Sequence, residues 1–232
     1  MLKTVIAYSK LSRENHRHPL EKLCLCIFPI IILGFAKSPF PILLNILVFT
    51  ILHIKAKNPI NIVLKFAIAA LLFATISSIT FIFTYSPIYI ITLILKTFSG
   101  GLCIAYLALT TPLDHILYLG SKNKHLKNLC DISKNMERYI LLINDEAIII
   151  LNAMKSRGGF SNLKSKIDNT GKLFGLLFIN TLKRWNDIKD TLDSRGYNGS
   201  HYYVDLDFSK NTFSWIFIIA YNLLLLLMVI YY

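Results

Sequence analysis

The sequence predicts an all-α, polytopic membrane protein with about five transmembrane helices and a cytoplasmic domain of amphipathic helices. Three observations carry this. Hydrophobic residues make up 54% of the 232 residues and charged residues only 16%, a balance too apolar for a soluble domain of this length. Several apolar runs approach or reach the ~20 residues that a bilayer-spanning helix needs. Acidic residues are also segregated: residues 1–109 hold only Glu14 and Glu21, whereas 110–212 hold the other eleven together with 15 of the 25 basic residues.

Taken in order, residues 1–22 form a basic arm with Lys3, Lys10, Arg13, Arg17 and Lys22. Basic residues flanking apolar runs mark the cytoplasmic side, which puts the N-terminus inside. The arm lacks the apolar core and small-residue cleavage site of a signal peptide. A first span is expected over 23–36 and a tight outer turn at Lys37-Ser38-Pro39. A return span follows over 40–54, with Lys55, Lys57 and Lys65 again marking the inside. The run 66–84 carries no charge and is the cleanest span, ended on the outside by Ser86-Pro87. Residues 88–95 are expected to lie at the outer interface, with Lys96 at the boundary and 97–109 crossing inward. Gly100-Gly101 there would let helices approach closely or mark a kink. The final span is 215–232, with aromatic residues at both ends as interfacial belts require.

Between these lies the polar insertion. The organisation is therefore an arm at 1–22, a transmembrane bundle at 23–111, a cytoplasmic domain at 112–212 and a last helix at 213–232. Thr111-Pro112-Leu113-Asp114 reads as a helix start with threonine cap, proline at the first position and an early acid, and Gly120 as its stop. Two longer helices are expected, over about 126–157 and 172–195. The second carries the stripe Phe174, Phe178, Leu182, Trp185, Ile188 and Leu192 at helical spacing, suited to packing on other helices or lying under the bilayer. The stretch 139–154 is very apolar, but Asn144-Asp145-Glu146 at its centre makes a crossing costly, so it belongs in or beneath the interface.

The formal charge of +12 follows the membrane-flanking pattern, and no nucleic-acid-binding motif accompanies it. Cys24, Cys26, Cys103 and Cys130 form no CxxC pair and read as structural thiols. No HExxH, GxSxG or Gly-rich phosphate loop is present, so this chain is not itself the ATPase of a pump. His16 and His18 could touch a metal ion, but read better as part of a solvated basic arm. Cys24 and Cys26 point to different faces of a helix. Asp114 reads as a first-turn acid and His115 as its exposed neighbour. Asp145 and Glu146 read as polar contacts within the insertion, a membrane enzyme built on them being the weaker alternative. No catalytic and no metal residues are assigned.

One peptide occurs twice. Ser156-Arg157-Gly158 returns 38 positions later as Ser194-Arg195-Gly196, each at the end of a helical segment and each followed closely by an aromatic, Phe160 or Tyr197. A glycine just past a helix end adopts the left-handed conformation cheaply, and a basic last turn complements the helix dipole, which would explain one copy. Two matched copies point further. A guanidinium binds carboxylates bidentately, so two such tips could dock in matching acidic grooves of soluble partners.

The chain resembles the transmembrane T component of energy-coupling factor (ECF) transporters, in particular the CbiQ type linked to cobalt or nickel uptake. The likeness rests on four passages: His18-Pro19-Leu20-Glu21-Lys22-Leu23; Leu109-Thr110-Thr111-Pro112; Arg138-Tyr139-Ile140 with Asp145-Glu146-Ala147 and Ala153-Met154-Lys155-Ser156-Arg157-Gly158; and Arg184-Trp185 with Ser194-Arg195-Gly196-Tyr197-Asn198-Gly199. The family usually has alanine before each arginine, where this chain has Ser156 and Ser194. The ending at 195–199 resembles the metal-type branch. The resemblance implies a non-catalytic subunit in a prokaryotic cell membrane. Two cytoplasmic ATPases, which use the ATP, would bind residues 156–158 and 194–196 on coupling helices. A separate membrane subunit would bind the substrate, so this chain would hold no cofactor or metal. A stand-alone metal permease or metal-binding membrane subunit is the alternative.

Overall fold

In the computed structural model, residues 2–81, 85–197, 203, 206, 208, 209 and 212–231 are described. Among them are nine α-helices and no strand, as the all-α expectation requires. The chain divides into two compact units, residues 1–116 with 205–232, and residues 117–204.

The first unit is the membrane-embedded bundle. The expected arm is not extended: α1 (Leu2–Leu11) and a 3-10 turn (Arg13–His16) precede the first apolar helix. That helix, α2 (Pro19–Gly34), starts where His18 accepts the Leu20 N–H at its Nδ1, 3.3 Å away, with Pro19 in the first turn. Helix α3 (Phe40–Ala56) ends on Lys57, whose φ of 54° is left-handed. It buries Ile42, Asn45, Phe49, His53 and Ala56, the three-and-four spacing of one helix face. Helix α4 (Ile60–Ser78) runs into a 3-10 turn (Ile79–Phe81). Next come α5 (Pro87–Thr110) and, at the far end of the sequence, α9 (Thr212–Tyr231). Three segments have the length and composition of a span: Ile60–Phe81, Pro87–Thr110 and Thr212–Tyr231. With 16 and 17 residues, α2 and α3 are shorter.

One element differs clearly from expectation. Residues 88–95 do not form a separate interfacial segment; α5 is one helix of 24 residues, about 36 Å long at ~1.5 Å per residue. Lys96 does not break it. Its long stem carries the ammonium to the carbonyl of Gly34, 3.0 Å away at the end of α2, where exposed carbonyls and the helix dipole favour a cation. Gly101 is the close-approach glycine. A Cβ there would lie 3.0 Å from Ala70 Cβ and 3.4 Å from Ala67 Cα on α4, whereas Gly100 has open space.

The core of this unit gathers Leu25, Phe49, Tyr106, Leu109 and Leu225. Phe49 and His53 both pack edge-on against Tyr106. At its centre, Asn45 joins three helices: its Nδ2 donates to Ser99 Oγ (2.5 Å) and to Cys103 Sγ (3.4 Å), and its Oδ1 accepts from the Tyr221 hydroxyl. Where no water competes, such bonds fix helix register and contribute about 0.6–2 kcal/mol each.

Helix α6 (Leu113–Ser121) starts one residue after Pro112 and carries Asp114 in its first turn. The expected threonine cap does not form. Thr111 closes α5 instead, and its buried hydroxyl has no hydrogen-bond partner.

The second unit is a helical hairpin of α7 (Lys127–Ser156) and α8 (Leu163–Ser194). Helix α8 begins nine residues earlier than expected. Gly171 and Gly175 are carried inside it, each at a cost of about 1 kcal/mol against alanine. The added turns are supported by the Asp168–Lys172 ion pair at 2.8 Å and by Asn169 and Ser165, which bond each other. The helices run antiparallel, since Glu146 of α7 accepts from Asn180 (3.0 Å) and Arg184 (2.8 Å) of α8 while the Gly159 carbonyl meets Asn169.

Candidate functional site

Helices α7 and α8 end in the same motif. At the end of α7 the Gly158 N–H donates to Lys155 O and the Gly159 N–H to Met154 O, both at 3.0 Å. At the end of α8 the Gly196 N–H donates to Asp193 O and the Tyr197 N–H to Leu192 O, both at 3.1 Å. This pair of bonds, one reaching back three residues and one five, is the Schellman motif. The motif needs a left-handed residue just past the helix, supplied by Gly158 (φ +72°) and Gly196 (φ +66°). In each copy the arginine is the capping residue itself, with nearly equal backbone angles: φ −88°, ψ 11° for Arg157 and φ −91°, ψ 5° for Arg195.

The serines occupy matching positions too. Ser156 Oγ donates to Ala153 O (3.0 Å) and Ser194 Oγ to Thr191 O (2.8 Å). Each hydroxyl is folded back onto its own helix. A serine used in this way presents little more than an alanine would, which accounts physically for its standing where the resembled family has alanine. Arg157 and Arg195 are both exposed, and among the described residues no ion pair engages either one. The motif thus delivers two guanidinium groups free to bind a carboxylate from elsewhere.

Because the hairpin is antiparallel, the tips lie at opposite ends of it. Arg157 sits beside the start of α8 and Arg195 at its finish, and α8 has 32 residues, so about 48 Å of helix separates them. Asn198 and Gly199, which complete the sequence-level match after Arg195, lie outside the described residues.

The apolar stripe of α8 is only partly covered by α7. Tyr139, Ile143, Trp185 and Ile188 enclose a cavity of about 260 Å³ beside the Glu146–Arg184 pair. Phe178 and Phe174, about two and three turns before Trp185 on α8, remain 66% and 65% exposed. Glu146 is thus a contact between helices rather than an isolated acid, and it joins two of the passages, Asp145-Glu146-Ala147 and Arg184-Trp185, that carried the family resemblance. Sequence reasoning missed Asn169 and Ser165, which clasp the Gly159 carbonyl.

The remaining candidates fall elsewhere. His18 caps α2, and its ring and that of His115 both lie against Phe208, at 5.6 and 5.1 Å. His115 is half-buried rather than exposed, and its basicity is lowered, first by burial and then by the charges of Lys22 and Lys10 against the opposing pull of Asp114. The His16 carbonyl accepts the N–H and hydroxyl of Ser209, both at 3.0 Å. Asp114 pairs with Lys10 at 3.2 Å. Cys26 and Cys103 are buried and Cys24 half-buried, all as free thiols. Among the described residues no three His, Cys, Asp or Glu side chains group as metal ligands would.

Residues 12–204 match the model of a protein family described as CbiQ, cobalt transport protein. A fused cobalt transport protein, CbiMQ, of Methanocorpusculum labreanum is 32% identical over 128 residues, 55% of this chain and 21% of that protein. An uncharacterized protein of Methanocaldococcus jannaschii is 26% identical over 84% of this chain and 80% of its own length. The energy-coupling factor transporter transmembrane protein EcfT of Lactococcus lactis is 35% identical over 65 residues, 27% of this chain and 24% of that protein. The chain thus spans only about a fifth of the first of these relatives and a quarter of the third.

Proposed function

The chain belongs to the CbiQ family of cobalt transport proteins, and from that premise we propose that it is the energy-coupling membrane subunit of an ATP-driven cobalt importer. In this reading it catalyses nothing. Two cytoplasmic ATPase subunits each receive one arginine tip, Ser156-Arg157-Gly158 or Ser194-Arg195-Gly196, in an acidic groove. A third, membrane-embedded subunit binds the metal. Closure of the ATPases around ATP moves the two ends of the α7–α8 hairpin, and the uncovered apolar face of α8, with Phe174 and Phe178, passes that motion to the substrate-binding subunit or to the bilayer surface. The N-terminus and the hairpin lie on the cytoplasmic side, in line with the basic residues that flank the apolar helices.

The observation that supports this reading is the construction of the same exposed arginine cap twice, at opposite ends of one hairpin. A single such cap is an ordinary helix ending. Two caps of the same motif about 48 Å apart suit two copies of one partner. Cobalt as the cargo rests on the family's description and on the name of the CbiMQ relative.

The test is co-purification with the ATPase subunits together with ATP-dependent cobalt uptake. Arg157→Glu and Arg195→Glu should each reduce both while leaving the bundle folded. If both reversals left uptake and co-purification intact, the docking assignment would be wrong.

A further inference from the structure

At the end of the bundle where α2 begins, α3 ends and α9 begins, the first unit holds a cavity of about 360 Å³, within the size range of small-ligand sites. Its lining is graded along the helix axes. Arg17, Lys22 and Lys55 stand at one end, while Leu52, Phe213 and Phe217 form apolar walls. On α3 the cation Lys55 follows the apolar Ile51, also in the lining, by one helical turn. Phe213 and Phe217 are likewise one turn apart on α9.

The cations are not equally committed. Lys22 is buried and donates from Nζ to the Thr110 carbonyl at 2.7 Å. Arg17 meets Glu14 through Nε at 2.6 Å, which leaves its two terminal nitrogens. Lys55 is exposed, and among the described residues no ion pair engages it. Glu21 in the lining and Glu14 paired with Arg17 set two carboxylates against the three cations, so Lys55 leaves the cavity net positive above an apolar slot.

That combination calls for an anionic amphiphile. A free anion would leave the aromatic walls unused, and a neutral lipid would leave Lys55 unpaired. We propose that the cavity binds one anionic phospholipid. Lys55 and Arg17 hold the phosphate, and the upper part of an acyl chain lies between Leu52 and Phe217. The lining shares no residue with the arginine tips, and its occupancy requires neither ATPase nor substrate subunit.

The test is native mass spectrometry of the delipidated full chain in detergent, titrated with phosphatidylglycerol or phosphatidylcholine. One phosphatidylglycerol should bind, with a clear preference over phosphatidylcholine. Lys55→Gln should lower that preference about fivefold, the scale of one lysine near an anionic headgroup, and Lys55→Arg should restore it. Lys57→Gln, at the same end of α3 but outside the lining, should change it less than about twofold on the same scale. Ser214→Trp, which fills the slot, should abolish the one-to-one adduct without shifting thermal unfolding. Equal binding of the two lipids, or equal losses for Lys55→Gln and Lys57→Gln, would mean diffuse surface attraction and overturn the proposal. Displacement of the lipid by millimolar inorganic phosphate would assign the site to a free anion and overturn it as well.

Discussion

At the first arginine tip the Gly159 carbonyl receives both Ser165 Oγ, at 2.7 Å, and Asn169 Nδ2 from the opening turns of α8. At the second, Tyr197 takes the position of Gly159, and the backbone bonds of the cap run within α8 and the residues that directly follow it. The two Schellman bonds of each cap nevertheless match to within 0.1 Å, while the Arg195 N–H also reaches Leu192 O (3.1 Å) and Thr191 O (3.3 Å). The cap itself is therefore a local property of about six residues, while its attachment is not. The first arginine is fixed through Gly159 to the helix that follows it, and the backbone bonds of the second cap tie it to the helix that precedes it. A partner that pushes on Arg157 pushes on both helices of the hairpin; one that pushes on Arg195 pushes on α8 along its axis.

The largest effect that would break this comparison comes from charge. An arginine–carboxylate contact contributes about 1.5–3 kcal/mol, so Arg157→Glu or Arg195→Glu should weaken ATPase co-purification at least tenfold, and the double variant should abolish cobalt uptake. Similar losses at the two tips would support two equivalent partners. A loss confined to one would show that the other cap is only a helix ending.

Next in size is Gly159→Ala. Its Cβ would sit 2.8 Å from the Met154 carbonyl oxygen and 3.1 Å from Asn169 Nδ2, so backbone must shift, at a cost of about 1–3 kcal/mol. Tyr197→Ala at the equivalent position should cost less than about 1 kcal/mol, since a side chain is already accommodated there. Thermal unfolding of the detergent-solubilised chain reads both, and equal shifts would remove the distinction between the tips.

Gly158→Ala and Gly196→Ala should behave alike, each losing about 1–2 kcal/mol because an L-residue is forced into the left-handed region. Unequal losses in the same unfolding measurement would show that the two caps are not the same structure. Asn169→Ala, which removes bonds to the Gly159 carbonyl and to Ser165 Oγ, should cost about 1 kcal/mol. It should raise amide exchange at 157–162 and leave 195–197 unchanged; increased exchange at both tips would mean that the clasp stabilises the hairpin as a whole.

The sequence made the helix ends legible and the joints between helices obscure. Ser156-Arg157-Gly158 and Ser194-Arg195-Gly196 could be read as caps because a Schellman ending is set by neighbours. Ser86-Pro87 likewise separated α4 from α5 as the chemistry of proline demands. The reading of 88–109 as two segments failed because Lys96 was weighed as a boundary charge. Its actual partner, the Gly34 carbonyl, is 62 residues away. The clasp of Asn169 on Gly159 and the bond between Glu146 and Arg184 were beyond reach for the same reason, since each depends on how two helices align. The apolar stripe that marked α8 begins only at Phe174, whereas the turns before it are held by polar contacts of Ser165, Asp168 and Asn169.

The Asn45 hub sets an order of events in biosynthesis. Its Oδ1 is satisfied by Tyr221, which is made 176 residues later, after the whole α7–α8 hairpin. While the chain is being synthesised from its N-terminus, α3 enters the membrane with one side of its amide still waiting for α9. The hairpin has all its own contacts before that helix exists. The bundle is thus closed last by its final helix, and a chain halted short of Tyr221 would keep an unsatisfied polar group inside the bilayer as a mark of incompleteness.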